Sequence, residues 1–414
     1  MSQPQISIPL DIEDVKVLAV DISQREAIHI KVESSLNYAY CQHCGRKLTK
    51  VHEYGDWVKV RHLPILGRAV LLFYRPKRYE CPDCEGHPTT TQQLVWHDAN
   101  SPHTKAYEEH VLRMLVNSTV QDVSTKERLS YESVWGIVER RLASQVVWSD
   151  YHWLGTLGVD EIARHKGHQD FVCIVSARLP DGHVSILAML PNRKKETLLA
   201  FFESIPPQLR ATIENVCSDL YEGYLQAAQS ALPRARRVID RFHIAKLYRA
   251  AADKVRKAEL RRLKQTLPAQ QYQTLKGSLW VFRKTTDALN EEERQVLDRL
   301  FALSSKLKTA YTLREELTTI FETALGKNSA KRQLRQWEAK VQAAGLACFD
   351  SFRKTLHRFW NEIINYFIDL KSSGFVEGLN NKIKVLKRRC YGLFNLDHFF
   401  QLIWLDLEGY RLFS

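Results

Sequence analysis

The sequence predicts a multidomain chain of the α+β class, in which a small β-rich module and a helical module precede a larger α/β core. Three observations support this prediction. Two CxxC pairs lie near the N-terminus, three short amphipathic runs follow between residues 104 and 145, and β-branched, apolar segments begin near Leu154. A chain of 414 residues is long enough for about two to four domains, each with its own hydrophobic core.

Charge and composition narrow the classes of function. The formal net charge is +13 and the pI is near 9.3, which favours a polyanionic partner such as nucleic acid. No apolar run approaches the length of about 18 residues that a membrane span needs, and residues 1–15 do not resemble an export signal. Eight cysteines do not suggest a disulfide framework in a chain of this length, and we expect a reducing, cytoplasmic location.

Each CxxC pair brings two thiolates within reach of one ion, and the glycines that follow, Gly45 and Gly86, permit a tight turn. Two such turns complete one four-thiolate site of the tetrahedral kind that binds structural Zn²⁺. A nearby histidine could replace one sulfur, and reduced thiols without a metal are the remaining interpretation. The predicted zinc ligands are Cys41, Cys44, Cys81 and Cys84, and the alternatives are His43, His52, His62 and His87.

Residues 104–145 are predicted to form three helices. Amphipathic runs over 107–116 and 120–129 precede a third over 131–142, which Ser130 could cap. A short helix, a tight turn and a second helix that ends in basic residues are typical of a helix-turn-helix. A plain helical connector has the same pattern, so that alternative stays open.

Beyond Leu154 the pattern predicts five strands and two helices. The hairpin turn Asp181–Gly182 joins the second strand to the third. The order β-β-β-α-β-α-β followed by a helix is that of an RNase H-like core, with three antiparallel strands and then two crossovers. The strands are predicted over 157–161, 171–177, 183–190, 213–219 and 235–240, and the helices over 195–205 and 221–232.

The rest of the chain is predicted to be helical, with a basic helix over 243–264 and an all-helical insertion that interrupts the core. The aromatic residues over 329–370 are expected mostly to pack in its interior. A last helix over 372–391 has an apolar stripe and a polar face. The stripe is Val376, Leu379, Ile383 and Leu386, and the polar face is Glu377, Asn380, Asn381, Lys384, Lys387 and Arg388.

These elements predict five segments. The ranges are 1–98 for the zinc-binding module, 99–150 for the helix-turn-helix, 151–262 for the first part of the core, 263–358 for the insertion, and 359–414 for the helices that complete the core.

Three carboxylates are candidate metal ligands. Asp160 and Asp219 end the first and fourth strands, which are neighbours in an RNase H-like sheet, and Glu377 begins the last helix. Acids at one point repel each other unless a cation lies among them, and hard oxygen ligands suit Mg²⁺ or Mn²⁺. Glu161 is a rival ligand, but on a strand it points to the opposite face. Any one of these aspartates alone could instead be a turn residue or a helix cap.

Asp240 and His243 follow the fifth strand and are predicted to turn toward the same end of the sheet. His243 could steady the scissile phosphate or a carboxylate. The alternative is a histidine whose hydrogen bonds are satisfied at a helix start.

Several motifs along the chain occur together in one known family. They are the paired CxxC turns, Leu157-Gly-Val-Asp160-Glu161, Asp219 with Tyr224, Asp240-Arg-Phe-His243, and Glu377-Gly-Leu-Asn-Asn-Lys-Ile-Lys384 through Lys387-Arg388 to Tyr391-Gly392. By these motifs the chain resembles the transposases of the ISL3 family of bacterial insertion sequences. This resemblance implies a DDE transposase with a zinc-binding module, a helix-turn-helix that reads terminal inverted repeats, and an interrupted RNase H-like core. It implies that Asp160, Asp219 and Glu377 bind Mg²⁺ or Mn²⁺, with Asp240 and His243 as an accessory pair.

The implied reaction has two steps, in which activated water cuts a strand and the freed 3′-hydroxyl attacks a target phosphodiester. The implied partners are double-stranded DNA and a second copy of the chain on paired ends, in the bacterial cytoplasm on a chromosome or plasmid. Trp280 could stack on a displaced base or simply pack. The predicted DNA contacts are Tyr131, Ser133, Arg140, Arg141, Asn380, Asn381, Lys384, Lys387 and Arg388.

The same sequence pattern fits two other functions. A non-catalytic regulator derived from such an enzyme would keep the same DNA-binding modules. An RNase H-like nuclease or resolvase would cut DNA without joining it.

Overall fold

The computed structural model of the chain describes residues 9–163, 171–275, 277–369, 374–390 and 395–413. The chain divides into two compact units, residues 1–143 together with 405–414, and residues 144–404. Each unit contains its own hydrophobic clusters. No helix in the described ranges is long and apolar enough to cross a membrane.

The first unit begins with three small sheets. The first two strands pair antiparallel as a hairpin. Ile28, Ile30 and Val32 alternate along the second strand and pack in the core, as the two-residue period of a strand requires. The strands are β1 (Val15–Asp21), β2 (Ala27–Ser34), β3 (Ala39–Tyr40), β4 (Lys47–Leu48), β5 (Val51–Tyr54), β6 (Val58–Ile65), β7 (Arg68–Tyr74), β8 (Lys77–Glu80) and β9 (Thr89–Thr91), in sheets ordered β1-β2-β7-β6, β3-β4 and β5-β8-β9.

Three helices follow, as predicted: α1 (Lys105–Leu115), α2 (Val120–Glu127) and α3 (Tyr131–Arg141). The side chain of Ser130 caps α3 by accepting a hydrogen bond from the backbone N–H of Ser133 at 3.0 Å. Arg128 ends α2 in the left-handed conformation, which turns the chain into α3.

A buried carboxylate ties α1 to α3. The Glu108 side chain is 1% exposed and accepts hydrogen bonds from Arg140 Nη2 at 2.7 Å, Arg141 Nε at 2.5 Å and Ser101 Oγ at 2.9 Å. Burial alone would raise the pKa of Glu108, but hydrogen bonds from His103, Arg140 and Ser101, with the charge of Arg140, lower that pKa to about 2. A buried charge of this kind is tolerated only because it is fully paired.

The second unit is built on a five-stranded sheet of order β12-β11-β10-β13-β14. β10 pairs antiparallel with β11 and parallel with β13, so the predicted RNase H-like arrangement is confirmed. Helices α4 and α6 cover one face, where Leu157, Val159 and Phe202 are buried. The elements are β10 (Gly155–Ala163), β11 (Phe171–Arg178), β12 (Val184–Leu190), α4 (Lys195–Ser204), α5 (Pro207–Arg210), β13 (Ile213–Ser218), α6 (Glu222–Ala231) and β14 (Arg236–Ile239).

The described residues beyond β14 form helices joined by turns. Trp337 is fully buried, donates its indole N–H to the Leu313 carbonyl at 2.9 Å, and meets Phe349 and Phe352 edge to face, so the expectation of aromatic packing is confirmed here. The helices are α7 (Arg241–Thr266), α8 (Ala269–Gln273), α9 (Ser278–Val281), α10 (Glu291–Leu303), α11 (Ser305–Glu322), α12 (Lys327–Ala343), α13 (Asp350–Arg358), α14 (Trp360–Asp369), α15 (Gly374–Arg389) and α16 (Leu396–Leu412).

Replacing Glu108 should destabilise the first unit. Because the folded-state pKa of Glu108 lies below its usual value of 4.5, its contribution is complete above pH 4.5 and is lost as pH falls through about 2. The shift corresponds to about 3 kcal/mol. We expect Glu108→Gln to lower the free energy of unfolding at pH 7 by about 2–3 kcal/mol, measured by denaturant titration and calorimetry.

Glu109→Gln is the matched control, because Glu109 is an exposed neighbour on the same helix. The stability difference between the wild type and Glu108→Gln should narrow as pH falls below 4.5. The role of Glu108 would be contradicted if both substitutions lowered the free energy of unfolding equally. It would also be contradicted if the stability difference between the wild type and Glu108→Gln did not depend on pH.

Candidate functional site

The four predicted zinc ligands form one compact cluster in the first unit. The sulfur atoms of Cys41, Cys44, Cys81 and Cys84 all lie within 4.8 Å of one another. The Cys41–Cys84 and Cys44–Cys81 sulfur distances are 3.8 and 3.7 Å. Zn–S bonds of about 2.3 Å in tetrahedral geometry separate sulfurs by about 3.8 Å. The spacing therefore fits one zinc ion, and it excludes a disulfide between these pairs.

Backbone geometry and thiol electrostatics both suit this cluster. Gly45 and Gly86 follow the two turns with φ of +73°, a conformation that glycine adopts without strain. The N–H groups of Cys44 and His43 lower the pKa of Cys41 to about 6, whereas hydrogen bonding to Cys44 and Cys81 raises the pKa of Cys84 to about 12. Four adjacent thiols cannot all ionise without a cation, and a divalent metal supplies that charge.

The predicted DNA contacts on α3 have different surroundings. Tyr131 is 43% exposed at the start of the helix. Ser133 is half-buried, and its hydroxyl lies 2.9 Å from that of Ser130. Arg140 and Arg141 both bind Glu108, which accounts for their orientation without DNA. DNA contact by these four residues stays a prediction.

The two predicted aspartates of the core lie at the same end of the sheet. Val159 of β10 pairs with Ser218 of β13, so Asp160, within β10, and Asp219, directly after β13, are the next residues along two adjacent parallel strands. The prediction that Asp160 ends its strand is wrong, because β10 continues to Ala163 in antiparallel pairing with β11. Asp240 follows β14, is buried, and caps α7 by accepting a hydrogen bond from the Phe242 N–H at 3.0 Å. His243 lies in the first turn of α7.

These groups act on one another electrostatically. Burial raises the pKa of Asp160. The N–H of Glu161 and the charge of His243 lower it, the charges of Asp219 and Asp240 raise it further, and the net effect is an increase. Burial and the two neighbouring acids thus disfavour a negative charge on Asp160, and the charge of His243 with the Glu161 N–H offsets them only in part. In the described part of the chain, however, the four cysteines are the one group of three or more Cys, His, Asp or Glu side chains close enough together to hold a metal ion.

Glu161, the rival ligand, is held by an arginine that the sequence did not single out. Arg193, just after β12, lies 3.3 Å from the Glu161 carboxylate and stacks over the rings of Phe171 and Tyr221. No local motif marks Arg193, because its partners come from three separate elements. Its pairing with Glu161 favours Asp160 over Glu161 as the metal ligand.

Helix α15 confirms the predicted apolar stripe at Leu379, Ile383 and Leu386, which are buried. The side chains of Glu377 and Val376 lie outside the described residues, as do Tyr391 and Gly392. The position of the third predicted acid relative to Asp160 and Asp219 thus stays a prediction.

The polar residues of α15 do not all point to solvent. Asn380 is 4% exposed and donates its amide Nδ2 to Asp160 Oδ2. Lys387 donates to the Ala163 carbonyl at 2.5 Å. Asn381, Lys384 and Arg388 are exposed. The polar face that the sequence predicts is therefore divided between the end of β10 and solvent.

A basic recess of about 540 Å³ lies along α7. Asp253 forms ion pairs with Arg256, Lys257 and Arg283. Lys246, Arg249 and Lys254 also line the recess, and the described residues offer them no acidic partner. Phe242, at the end of the recess next to His243, is 46% exposed, and Trp280 is 66% exposed. The solvent-facing indole leaves the stacking prediction for Trp280 open.

Three family models match the chain in order. A zinc-finger of transposase IS204/IS1001/IS1096/IS1165 matches residues 38–84, a helix-turn-helix domain of transposase family ISL3 matches residues 92–142, and a transposase model of the same family matches residues 157–403. With the four-cysteine cluster, the first match identifies a structural zinc site. The second confirms the helix-turn-helix.

Two relatives are similar over nearly the whole chain. The transposase for insertion sequence element IS1001 of Bordetella parapertussis is 30% identical over 383 residues, which cover 92% of each chain. The transposase for insertion sequence element IS1557 of Mycobacterium tuberculosis is 24% identical over 400 residues, 90% of this chain and 86% of its own. The Drosophila P element transposase strand transfer complex has a TM-score of 0.42 and 10% identity, over 74% of this chain and 92% of that chain. That score supports no argument about this chain.

Loss of one zinc ligand should release the metal. We expect Cys81→Ser to lower the bound zinc measured by atomic absorption and to increase amide exchange over residues 36–90, because a three-thiolate site no longer holds the two turns together. Cys348→Ser, at a half-buried cysteine of the helical part, is the control and should keep its zinc. Unchanged zinc content in Cys81→Ser would contradict the four-thiolate site.

Proposed function

The chain belongs to the ISL3 family of transposases, and we propose that it cuts and joins DNA at the ends of an insertion sequence by a DDE mechanism. In this proposal Asp160, Asp219 and Glu377 bind Mg²⁺ or Mn²⁺, and Asp240 and His243 assist. The observation that carries the proposal is the placement of Asp160 and Asp219 on adjacent parallel strands, next to the buried Asp240.

The donors at this end of the sheet suit a hard divalent cation. Asp160 is flanked by the negative charges of Asp219 and Asp240 in a buried setting, and a cation would relieve that repulsion. Carboxylate oxygens are the donors that Mg²⁺ and Mn²⁺ prefer. When bound, such ions activate an attacking oxygen and stabilise the leaving oxygen of a phosphodiester.

The chain's own residues would orient the reacting groups. Arg193 neutralises Glu161 and so keeps that carboxylate away from the cation. His243 lies in the first turn of α7, and its positive charge attracts the Asp160 carboxylate. In this proposal its imidazole contacts the scissile phosphate. Lys384 and Arg388 are exposed on α15 and would bind the neighbouring backbone.

The recess along α7 supports a DNA path that leads away from these acids. Lys246 and Lys254 are separated by about 12 Å along the helix, at about 1.5 Å per residue. Unpaired cations over such a length neutralise several phosphates and make affinity depend on salt. In this proposal α3 reads the terminal repeats, and Tyr131 is its most exposed candidate contact.

The remaining parts of the proposal come from the family. We propose a homodimer on paired DNA ends, a cytoplasmic location on a bacterial chromosome or plasmid, and the five segments 1–98, 99–150, 151–262, 263–358 and 359–414. The proposal also includes strand transfer, in which the 3′-hydroxyl attacks a phosphodiester of the target DNA.

Loss of one aspartate should separate chemistry from binding. We expect Asp219→Asn to retain the gel shift on labelled terminal-repeat DNA and to lose cleavage in Mg²⁺ by a factor of about 10³ or more, because the amide cannot supply the negative charge that a cation needs. Asp181→Asn, in the hairpin turn between β11 and β12 at the other end of the sheet, is the control.

The same assay tests the reaction as a whole. Cleavage with strand joining supports the proposal, whereas cleavage alone indicates a nuclease and binding alone a regulator. Full cleavage by Asp219→Asn would remove Asp219 from the metal site.

The α7 recess can be tested by salt dependence. We expect Lys246→Ala and Arg249→Ala each to weaken DNA binding and to reduce the slope of log K against log salt by about 1. Lys308→Ala, exposed on α11 and outside the recess, should leave the slope unchanged. Equal slopes for all three variants would place the DNA elsewhere.

A further inference from the structure

Two adjacent asparagines of α15 have different environments. Successive residues of a helix are rotated by about 100°, so Asn380 and Asn381 point in different directions. Asn381 is exposed, whereas Asn380 is 4% exposed. A side chain buried to this extent is poorly placed to bind a DNA backbone, although both amides were predicted to do so from sequence.

The buried amide binds a predicted metal ligand. Asn380 Nδ2 donates to Asp160 Oδ2, and the backbone N–H of Glu161 donates to Asp160 Oδ1 at 2.7 Å. Each carboxylate oxygen therefore accepts one hydrogen bond and keeps a second lone pair. The two donors bind different oxygens of the carboxylate, one from α15 and one from β10.

The other end of the same amide lacks a partner. Asn380 Oδ1 is buried, and no described residue donates a hydrogen bond to it. A buried acceptor without a donor costs about 1–3 kcal/mol. Because Oδ1 belongs to the amide that binds Asp160, the unpaired acceptor is adjacent to a carboxylate, where a cation or a water bound to one would satisfy it.

We infer that Asn380 is a positioning residue of the cation site and not a DNA contact. Its amide N–H group orients Asp160, and its amide oxygen accepts a hydrogen bond from water in the shell of the bound cation. This inference rests on the proposed function, since it takes Asp160 as a metal ligand. Partners of this kind typically change metal affinity by about 10- to 100-fold.

The test compares Asn380→Leu with Asn381→Leu in the full-length, zinc-loaded chain. Leucine has the same branched heavy-atom outline as asparagine and lacks both polar atoms. Three quantities are measured: Mn²⁺ affinity without DNA by titration calorimetry, affinity for terminal-repeat DNA without added Mg²⁺ or Mn²⁺, and the Mg²⁺ concentration for half-maximal cleavage. Thermal unfolding without added Mg²⁺ or Mn²⁺ reports any purely structural effect, and Asn380→Ser replaces the leucine variant if that variant does not fold.

We expect Asn380→Leu to weaken Mn²⁺ binding by about tenfold or more, to raise the Mg²⁺ requirement by a similar factor, and to leave DNA affinity without added Mg²⁺ or Mn²⁺ unchanged. Asn381→Leu should leave Mn²⁺ binding unchanged. Weaker DNA binding with normal Mn²⁺ affinity in Asn380→Leu would overturn the inference, and so would lower thermal stability with normal Mn²⁺ affinity.

Asp160→Asn separates this inference from the proposed function. If Asp160→Asn abolishes Mn²⁺ binding and Asn380→Leu does not weaken it, the inference alone fails. If the wild type binds no Mn²⁺, or Asp160→Asn binds it normally, the proposed cation site fails and the role of Asn380 fails with it.

Discussion

The parallel pairing of β10 with β13 is the constraint on which the candidate active site depends. Hydrogen bonding places Val159 opposite Ser218, so the next residues are neighbours. Asp160 is still within β10, and Asp219 directly follows β13. A shift of one residue would turn one of the two side chains to the opposite face. The register is held by the apolar residues between the sheet and helices α4 and α6. Hydrophobic packing thereby determines where two negative charges meet.

Two acids have arginine partners, whereas neither Asp160 nor the buried Asp240 forms an ion pair with a described residue. Glu108 is held by two arginines, and Glu161 is held by Arg193. Asp160 receives hydrogen bonds from Asn380 and the Glu161 N–H, but its charged neighbours include two further acids. Paired ions stabilise a fold or specify its geometry, whereas an acid that lacks a counter-charge is suited to bind a cation. The same reasoning applies to the four thiols of the zinc site.

The candidate site could be predicted from sequence where spacing along the chain decides geometry. CxxC turns, alternating strands and capped helices depend on neighbours within a few residues, so the cysteine cluster and the pairing of β10 with β13 were anticipated correctly. The end of β10 was not, because its pairing with β11 carries the strand beyond Asp160 to Ala163. Roles that depend on distant partners were not anticipated. Arg140 and Arg141 form the basic end of α3, where DNA-binding residues were predicted, and both bind Glu108 on α1.

The sequence by itself determined the class of each module, the order of the five core strands, the zinc ligands as candidates, and the apolar stripe of α15. These features follow from hydrophobic period and from the conformations that particular residues allow. Only the tertiary structure decided that Arg193 neutralises Glu161 and that Asn380 turns inward while Asn381 faces solvent. The physical reason is that a polar side chain takes its role from the partner that packing brings to it, and those partners lie tens to hundreds of residues away in the chain.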